Sequence, residues 1–335
     1  MQTLTLLFAS LLTVSTATST KQDGPYHVLQ TEKVGGDGGF DYVYADPDGR
    51  GLYIARSGPN ARVSIFNLDT LAPMGEIPKT SGHGAAVDAK THHGFVSSKP
   101  VAMLDSKTHT LIKTIDVDGR PDGILNDDFN HRTYIFSHSA PNATVIDAES
   151  GSVLGTIDLG GAPEEAATDG KGHLYVDLED KDSVAVVDTK SMKVIATHAL
   201  GGKGGGNAGL ALDAKNHVLF VACREPQVMV MIDAITGKYL ADLPIGRGCD
   251  GAVFNPKTMV CFSSQGDGTL TVIKEVSPTK FVVEQTVKTM TGAKTLTLDT
   301  KTNKIYLIAG EYAPGTGGGR RQMLPGSFSI QVVGK

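Results

Sequence analysis

One unit recurs seven times in this chain, and that recurrence restricts its fold more than any other property. The polar residues that close the first apolar run of each copy are Asp46, Asp88, Asp127, Asp169, Asp213, Asn255 and Asp299. Their spacings are 42, 39, 42, 44, 42 and 44 residues. A period of that size belongs to propellers or solenoids. Each copy continues with a turn and a second apolar run, such as Leu52-Tyr53-Ile54, Leu174-Tyr175-Val176 or Ile305-Tyr306-Leu307. A loop of variable length follows, then an alternating third run such as Val63-Ser64-Ile65-Phe66 or Val184-Ala185-Val186-Val187. A fourth run closes the unit, as in Leu111-Ile112-Lys113-Thr114-Ile115. β-branched and aromatic residues between turn residues read as short strands. No helix-length amphipathic stretch intervenes, so four strands per copy predict propeller blades.

The ends of the chain predict how the ring closes. The last copy stops after its third run, Phe328 to Val333, and lacks a fourth. The segment Tyr26 to Val34 precedes the first complete unit and can supply the missing strand. The expected architecture is therefore all-β: a seven-bladed β-propeller of four-stranded blades, with the N-terminal strand closing the last blade. Residues 21–335 are read as one such domain. Cutting between blades would expose apolar faces that the ring buries.

Residues 1–20 read differently. Leu4 to Val14 is mostly apolar, and Ser15-Thr16-Ala17 makes a small-residue cleavage pattern, although Met1 to Thr5 holds no Lys or Arg. This order predicts a secretory signal segment and a mature chain starting near Ser19 or Lys21, secreted or periplasmic. The run is short for a membrane span and no later run approaches that length, so the mature chain is expected to have none. The formal net charge is −5 without a basic tract, which argues against a nucleic-acid partner. The three cysteines, Cys223, Cys249 and Cys261, form no disulfide framework and no C-x-x-C motif. Cys249 and Cys261 could pair if geometry suits, while the apolar surroundings of Cys261 predict a simple buried thiol.

The repeats resemble those of the bacterial YVTN β-propeller family, which includes YncE-like secreted proteins. Leu174-Tyr175-Val176 and the strand ending Val187-Asp188-Thr189 carry the likeness, which covers nearly all of the mature chain; Asp177-Leu178 follow where the usual motif has Thr-Asn. The resemblance implies a secreted propeller. Similar propellers include lactonases and a carbon–oxygen lyase that use metal in the central cavity.

Function is expected at one mouth of the channel. The residues five positions before the seven anchors are Asp41, His83, Asp122, Glu164, Ala208, Asp250 and Lys294. In a propeller these positions gather around the axis, although they lie far apart in sequence. Asp41, His83, Asp122, Glu164 and Asp250 can ligate a cation: oxygen donors suit calcium or magnesium, and His83 adds affinity for a transition metal. The following residue is often glycine (Gly84, Gly123, Gly209, Gly251), which permits close backbone approach in a narrow ring; Glu165 breaks that pattern. Loops after the second strands open on the same face and add Arg56, Lys99, His138, Glu179, Asp180, Arg224 and Gln265. Arg56 and Arg224 have planar forks suited to carboxylate or phosphate. Glu165, Gln265 and Lys294 complete the expected ligand-binding set, and His83 with His138 is the candidate acid–base pair.

The leading reading is a secreted propeller that binds a small molecule or peptide segment at this mouth. The alternative is a metal-assisted hydrolase or lyase in the central cavity. A blander account leaves the carboxylates as a solvated rim, with Lys294 neutralising its neighbours. The run Gly201 to Gly206 matches no phosphate-binding pattern and reads as a connection. Glu311 to Gly326 reads as a long insertion able to cover the mouth or to remain without order.

Overall fold

Alternating apolar residues between tight turns do form short strands. The computed structural model describes residues 24–140, 142–313 and 322–335. The expected signal segment, residues 1–20, and the centre of the last-blade insertion, residues 314–321, lie outside them. Seven four-stranded antiparallel sheets are arranged radially as a β-propeller. Blades 1 to 6 span residues 39–78, 82–115, 121–157, 163–199, 207–244 and 249–288. Within each, the strands pair in sequence order.

Blade 7 takes three strands from the C-terminal end, Leu296–Asp299, Lys304–Ala309 and Ser329–Gly334, and its outer strand, His27–Lys33, from the beginning. The N-terminal strand thus closes the last blade. Tyr26 extends this latch into blade 6, where its backbone exchanges two hydrogen bonds with Gln285 at 3.0 and 2.8 Å. Its ring meets Phe262 edge-on at 5.0 Å between centroids.

The apolar cores lie between blades. Tyr53, Val63 and Ile65 of blade 1 pack with Ala85, Val96 and Ala102 of blade 2. Ile308, Phe328 and Ile330 of blade 7 pack with Leu52 and Ile54 of blade 1. Every first strand packs on the first strand of the next blade, and Leu296–Asp299 returns to Gly39–Asp46. Fully burying one such aliphatic side chain contributes about 1.5–3 kcal/mol, so the ring is stabilised by contacts no single blade can make.

The anchor residues serve the turns. Asp46 Oδ1 accepts from the backbone N–H of Asp48 and Gly49, both at 3.0 Å. All three cysteines are buried and free, so Cys249 and Cys261 form no disulfide. Among the described residues, no helix is long and apolar enough to cross a membrane.

Candidate metal centre at the channel mouth

A β-bulge aims the inner ring. In blades 1 to 6 the register of the first strand slips by one residue, between Phe40 and Val43, Gly82 and Ala85, Pro121 and Ile124, Pro163 and Ala166, Asn207 and Gly209, and Cys249 and Ala252. Asp41, His83, Asp122, Glu164, Ala208 and Asp250 all occupy that slip. Two residues there face one on the partner strand, which bends the strand and redirects the side chain. Polar partners hold the bulges in shape. Ser97 Oγ accepts from Gly84 N at 2.9 Å, and Asp177 Oδ1 accepts from Glu165 N at 2.6 Å.

The next position explains the glycines. A Cβ on Gly123 would stand 2.6 Å from the Glu164 carbonyl oxygen, and one on Gly209 would stand 2.8 Å from the Gly251 backbone. Blades at these positions touch through their main chains. The two large exceptions, Tyr42 and Glu165, floor the mouth. The Tyr42 hydroxyl donates to Glu164 Oε2 at 3.1 Å. Glu165 Oε2 accepts from Leu210 N at 2.7 Å and Ala252 N at 3.1 Å, in blades 5 and 6. Below them is a largely apolar channel cavity of 480 Å³, lined by first-strand residues such as Val43, Leu125, Leu210 and Leu298.

A second ring stands outside the first. His138, Glu179 and Arg224 each immediately follow the second strand of their blade. His83 Nδ1 lies 2.9 Å from Asp41 Oδ2 and 3.2 Å from Asp122 Oδ1. His138 Nδ1 lies 3.6 Å from Asp122 Oδ2, and its Nε2 lies 3.6 Å from Glu164 Oε1. The two histidines therefore meet the two oxygens of one carboxylate. Asp41, His83 and Asp122 form one group able to hold a metal ion, and Asp122, His138 and Glu164 form another. On the opposite wall Arg224 pairs with Glu179 and Asp250, and Lys294 pairs with Asp250 and stands 3.6 Å from Asp41.

The electrostatics follow from burial and crowding. The hydrogen bond to Asp41 raises the His83 pKa above its ordinary value. Burial alone would raise Asp41, yet His83 and Lys294 hold it below the usual carboxylate range. Burial raises Asp122. Burial, the neighbouring Glu179 carboxyl and the charge of Asp250 push Glu164 up to about 8. Burial also pushes Glu165 up to about 8, against the two backbone N–H groups it accepts from. Burial and the charge of Glu165 also raise Asp177, whose Oδ1 accepts from Glu165 N. Burial opposes the charges of Arg224 and Lys294, but Asp250 and the other acids keep both above their ordinary values. The mouth thus joins ionised ligands, two fixed cations and a carboxylic acid able to release a proton near neutrality.

Asp41, His83, Asp122 and Glu164 come together as the spacing predicts, and His138 joins them; Asp250, expected among the metal ligands, stands outside both groups because Arg224 and Lys294 claim its carboxylate. Glu165 belongs to the floor. Arg56 and Gln265 stand elsewhere. The Arg56 guanidinium is buried 3.7 Å over the Phe328 ring and donates to the carbonyls of Asp37 and Gly38. Gln265 is buried too, donating to Ser263 O and accepting from Thr269 and Thr271. Both pair at the register position shared by Ser98, Ser137, Leu178 and Cys223, all inside their blades. The residue after it faces the mouth, because successive strand residues point to opposite sides. Lys99 instead donates to Gly119 O, and Asp180 accepts from Ala162 N. Sequence reasoning gave no role to Tyr42 or Asp177; Tyr42 was legible as the other bulky residue in the glycine ring.

Fold and mouth together define a seven-bladed β-propeller with a ring of potential metal ligands at one end of its channel. No family model matches the chain, and no curated protein matches it. Among solved structures, a chain in a crystal structure of the mitotic checkpoint complex is similar over 99% of this chain and 98% of its own, with a TM-score of 0.74 and 11% identity. At that identity the likeness shows the fold alone.

Proposed function

We propose that this chain is an exported, YncE-like propeller of the YVTN type that binds a divalent metal ion in its mouth and uses it to hold a small anionic molecule. The carrying observation is the convergence of His83 and His138 on the two oxygens of Asp122. Mixed imidazole and carboxylate donors favour a first-row transition ion over calcium. Arg224 and Lys294, on the facing wall, supply positive charge for an anion that the metal also contacts. Export rests on the apolar run Leu4 to Val14 and the small residues after it.

The test is elemental analysis of the processed, untagged chain purified without chelators. Stoichiometric metal in the wild type, lost in a folded Asp122→Asn variant, is the expected result. A metal-free wild type that also fails to take up added Mn²⁺, Co²⁺ or Zn²⁺ would refute the reading.

A second reading, a metal-assisted hydrolase or lyase, draws on Glu164. It is a carboxyl group near the proton-exchange range, fixed by Tyr42 beside the same ligands. Under this reading Glu164→Gln lowers kcat on a panel of esters, lactones and phosphoesters while a metal remains bound. Absence of turnover by metal-loaded wild type across that panel counts against it.

A further inference from the structure

Asp122 belongs to both candidate ligand groups, and it does so through different atoms. Its Oδ1 faces His83 at 3.2 Å, and its Oδ2 faces His138 at 3.6 Å. Asp41 completes the first group, with Oδ2 2.9 Å from the His83 nitrogen. Glu164 completes the second, with Oε1 3.6 Å from His138 Nε2; Asp122 faces the other ring nitrogen, Nδ1, so the imidazole offers an ion one nitrogen only. Within each group the ligating atoms lie within 4.8 Å of one another. That limit is close to the span of donors around one ion, since opposite ligands at about 2.1–2.4 Å from a metal stand about 4.2–4.8 Å apart. Asp122 Oδ1 is also buried without a hydrogen bond, because the His83 nitrogen 3.2 Å away is engaged with Asp41 at 2.9 Å. An orphaned buried oxygen is costly unless a cation claims it.

We propose that the mouth holds a dinuclear divalent-metal centre bridged by Asp122, one ion on Asp41 and His83 and the other on His138 and Glu164. The inference rests on the metal-binding reading above and adds the number of ions and the bridge. Charge supports it. Five acids, Asp41, Asp122 and Glu164 together with Glu179 and Asp250, share the mouth with two fixed cations, Arg224 and Lys294, which pair with the last two.

Two ions joined by one carboxylate sit about 3.5–4 Å apart, the spacing that clamps two oxygens of a single phosphoryl group. Lys294, 3.6 Å from Asp41, and Arg224, which shares Asp250 with it, would supply positive charge to a third oxygen of such a group. The ligand class is therefore a phosphate or phosphoester, in preference to a simple carboxylate.

Equilibrium dialysis of the processed full-length chain against Mn²⁺, followed by electron paramagnetic resonance, tests this. The expected result is two ions per chain with an exchange-coupled spectrum. Glu164→Gln and Asp41→Asn, checked for native circular dichroism, should each keep one ion with an isolated-ion spectrum. Inorganic phosphate should bind wild type at least about tenfold more tightly than either variant. A single ion in the wild type overturns the dinuclear centre and leaves the metal-binding reading standing. Two uncoupled ions overturn the bridge. No bound ion overturns both.

Discussion

The two ends of the propeller use the same residue types for different ends. On the rim opposite the mouth, His131 Nδ1 lies 2.9 Å from Asp88 Oδ2, and His173 Nδ1 lies 2.9 Å from Asp169 Oδ2. Those distances match the His83–Asp41 pair. The carboxylates there are nonetheless already committed. Asp88 Oδ1 accepts from the backbone and hydroxyl of Thr91, at 2.8 and 2.9 Å. Asp169 Oδ1 accepts from the N–H groups of Lys171 and His173, at 2.7 and 3.0 Å. Burial would raise both acids, but these bonds hold them below the usual range. At the mouth Asp41 is likewise held low, but burial and then the crowding of other acids raise Asp122 and Glu164, which come from different blades. A His–Asp pair is structural when its turn claims the carboxylate, and available when the fold gathers the acids but no local backbone satisfies them.

That distinction can be broken most sharply with histidine substitutions. Combined His83→Ala and His138→Ala should weaken metal binding by at least about 100-fold, since removing even an outer partner of a ligand costs about 10–100-fold. His131→Ala should leave it unchanged. Isothermal titration with Mn²⁺ compares them, and equal losses at both ends would erase the contrast.

Stability should show the reverse. Asp88→Ala removes a buried carboxylate that bonds Thr91, His131 and Asn126 and should cost on the order of 3 kcal/mol in urea unfolding. Asp122→Asn, measured without metal, should change stability by less than about 1 kcal/mol, because it relieves like-charge crowding as it alters the site. A costly Asp122→Asn would make the mouth as structural as the rim.

A third acid sharpens the comparison. Glu275 lies between blades 5 and 6, accepting from Asn216 Nδ2 at 2.8 Å. Burial, with Asp213 close by, pushes it up to about 7 from an ordinary 4.5. The folded state therefore holds a proton that the unfolded chain releases at lower pH. Its contribution is complete below about pH 4.5 and is lost as pH rises through about 7. Glu275→Gln should flatten that part of the stability profile and make the chain more stable than wild type at pH 8, by on the order of 2 kcal/mol. Parallel profiles from pH 4 to 8 would contradict this.

The smallest effect belongs to the more exposed of the two rim pairs. His173→Gln should cost less than about 1 kcal/mol in the same unfolding assay, because the Asp169 turn keeps its backbone bonds. A larger loss would mean that the imidazole, and not the turn, organises the rim.

Several of these residues are legible in the sequence alone. The anchors placed the inner ring from Asp41 to Lys294, because a repeat with constant internal spacing repeats its geometry. The same spacing did not distinguish Arg56 from Arg224. They differ by one register position at the end of equivalent strands, and that one residue turns Arg56 onto Phe328 and Arg224 towards Asp250. Glu179 was visible as a loop acid, but its pairing with Arg224 depends on two neighbouring blades.

By itself, then, the sequence determined the seven four-stranded blades, their closure by the first strand and the acidic, histidine-bearing character of the mouth. These follow from local propensity and periodic burial, which each repeat expresses alone. Only the tertiary structure decided that His83 and His138 share Asp122, that Tyr42 and Glu165 floor the channel, and that Arg56 is buried. Those outcomes turn on bulges and on separations of a few ångströms between blades, and such distances exist only once the ring has closed.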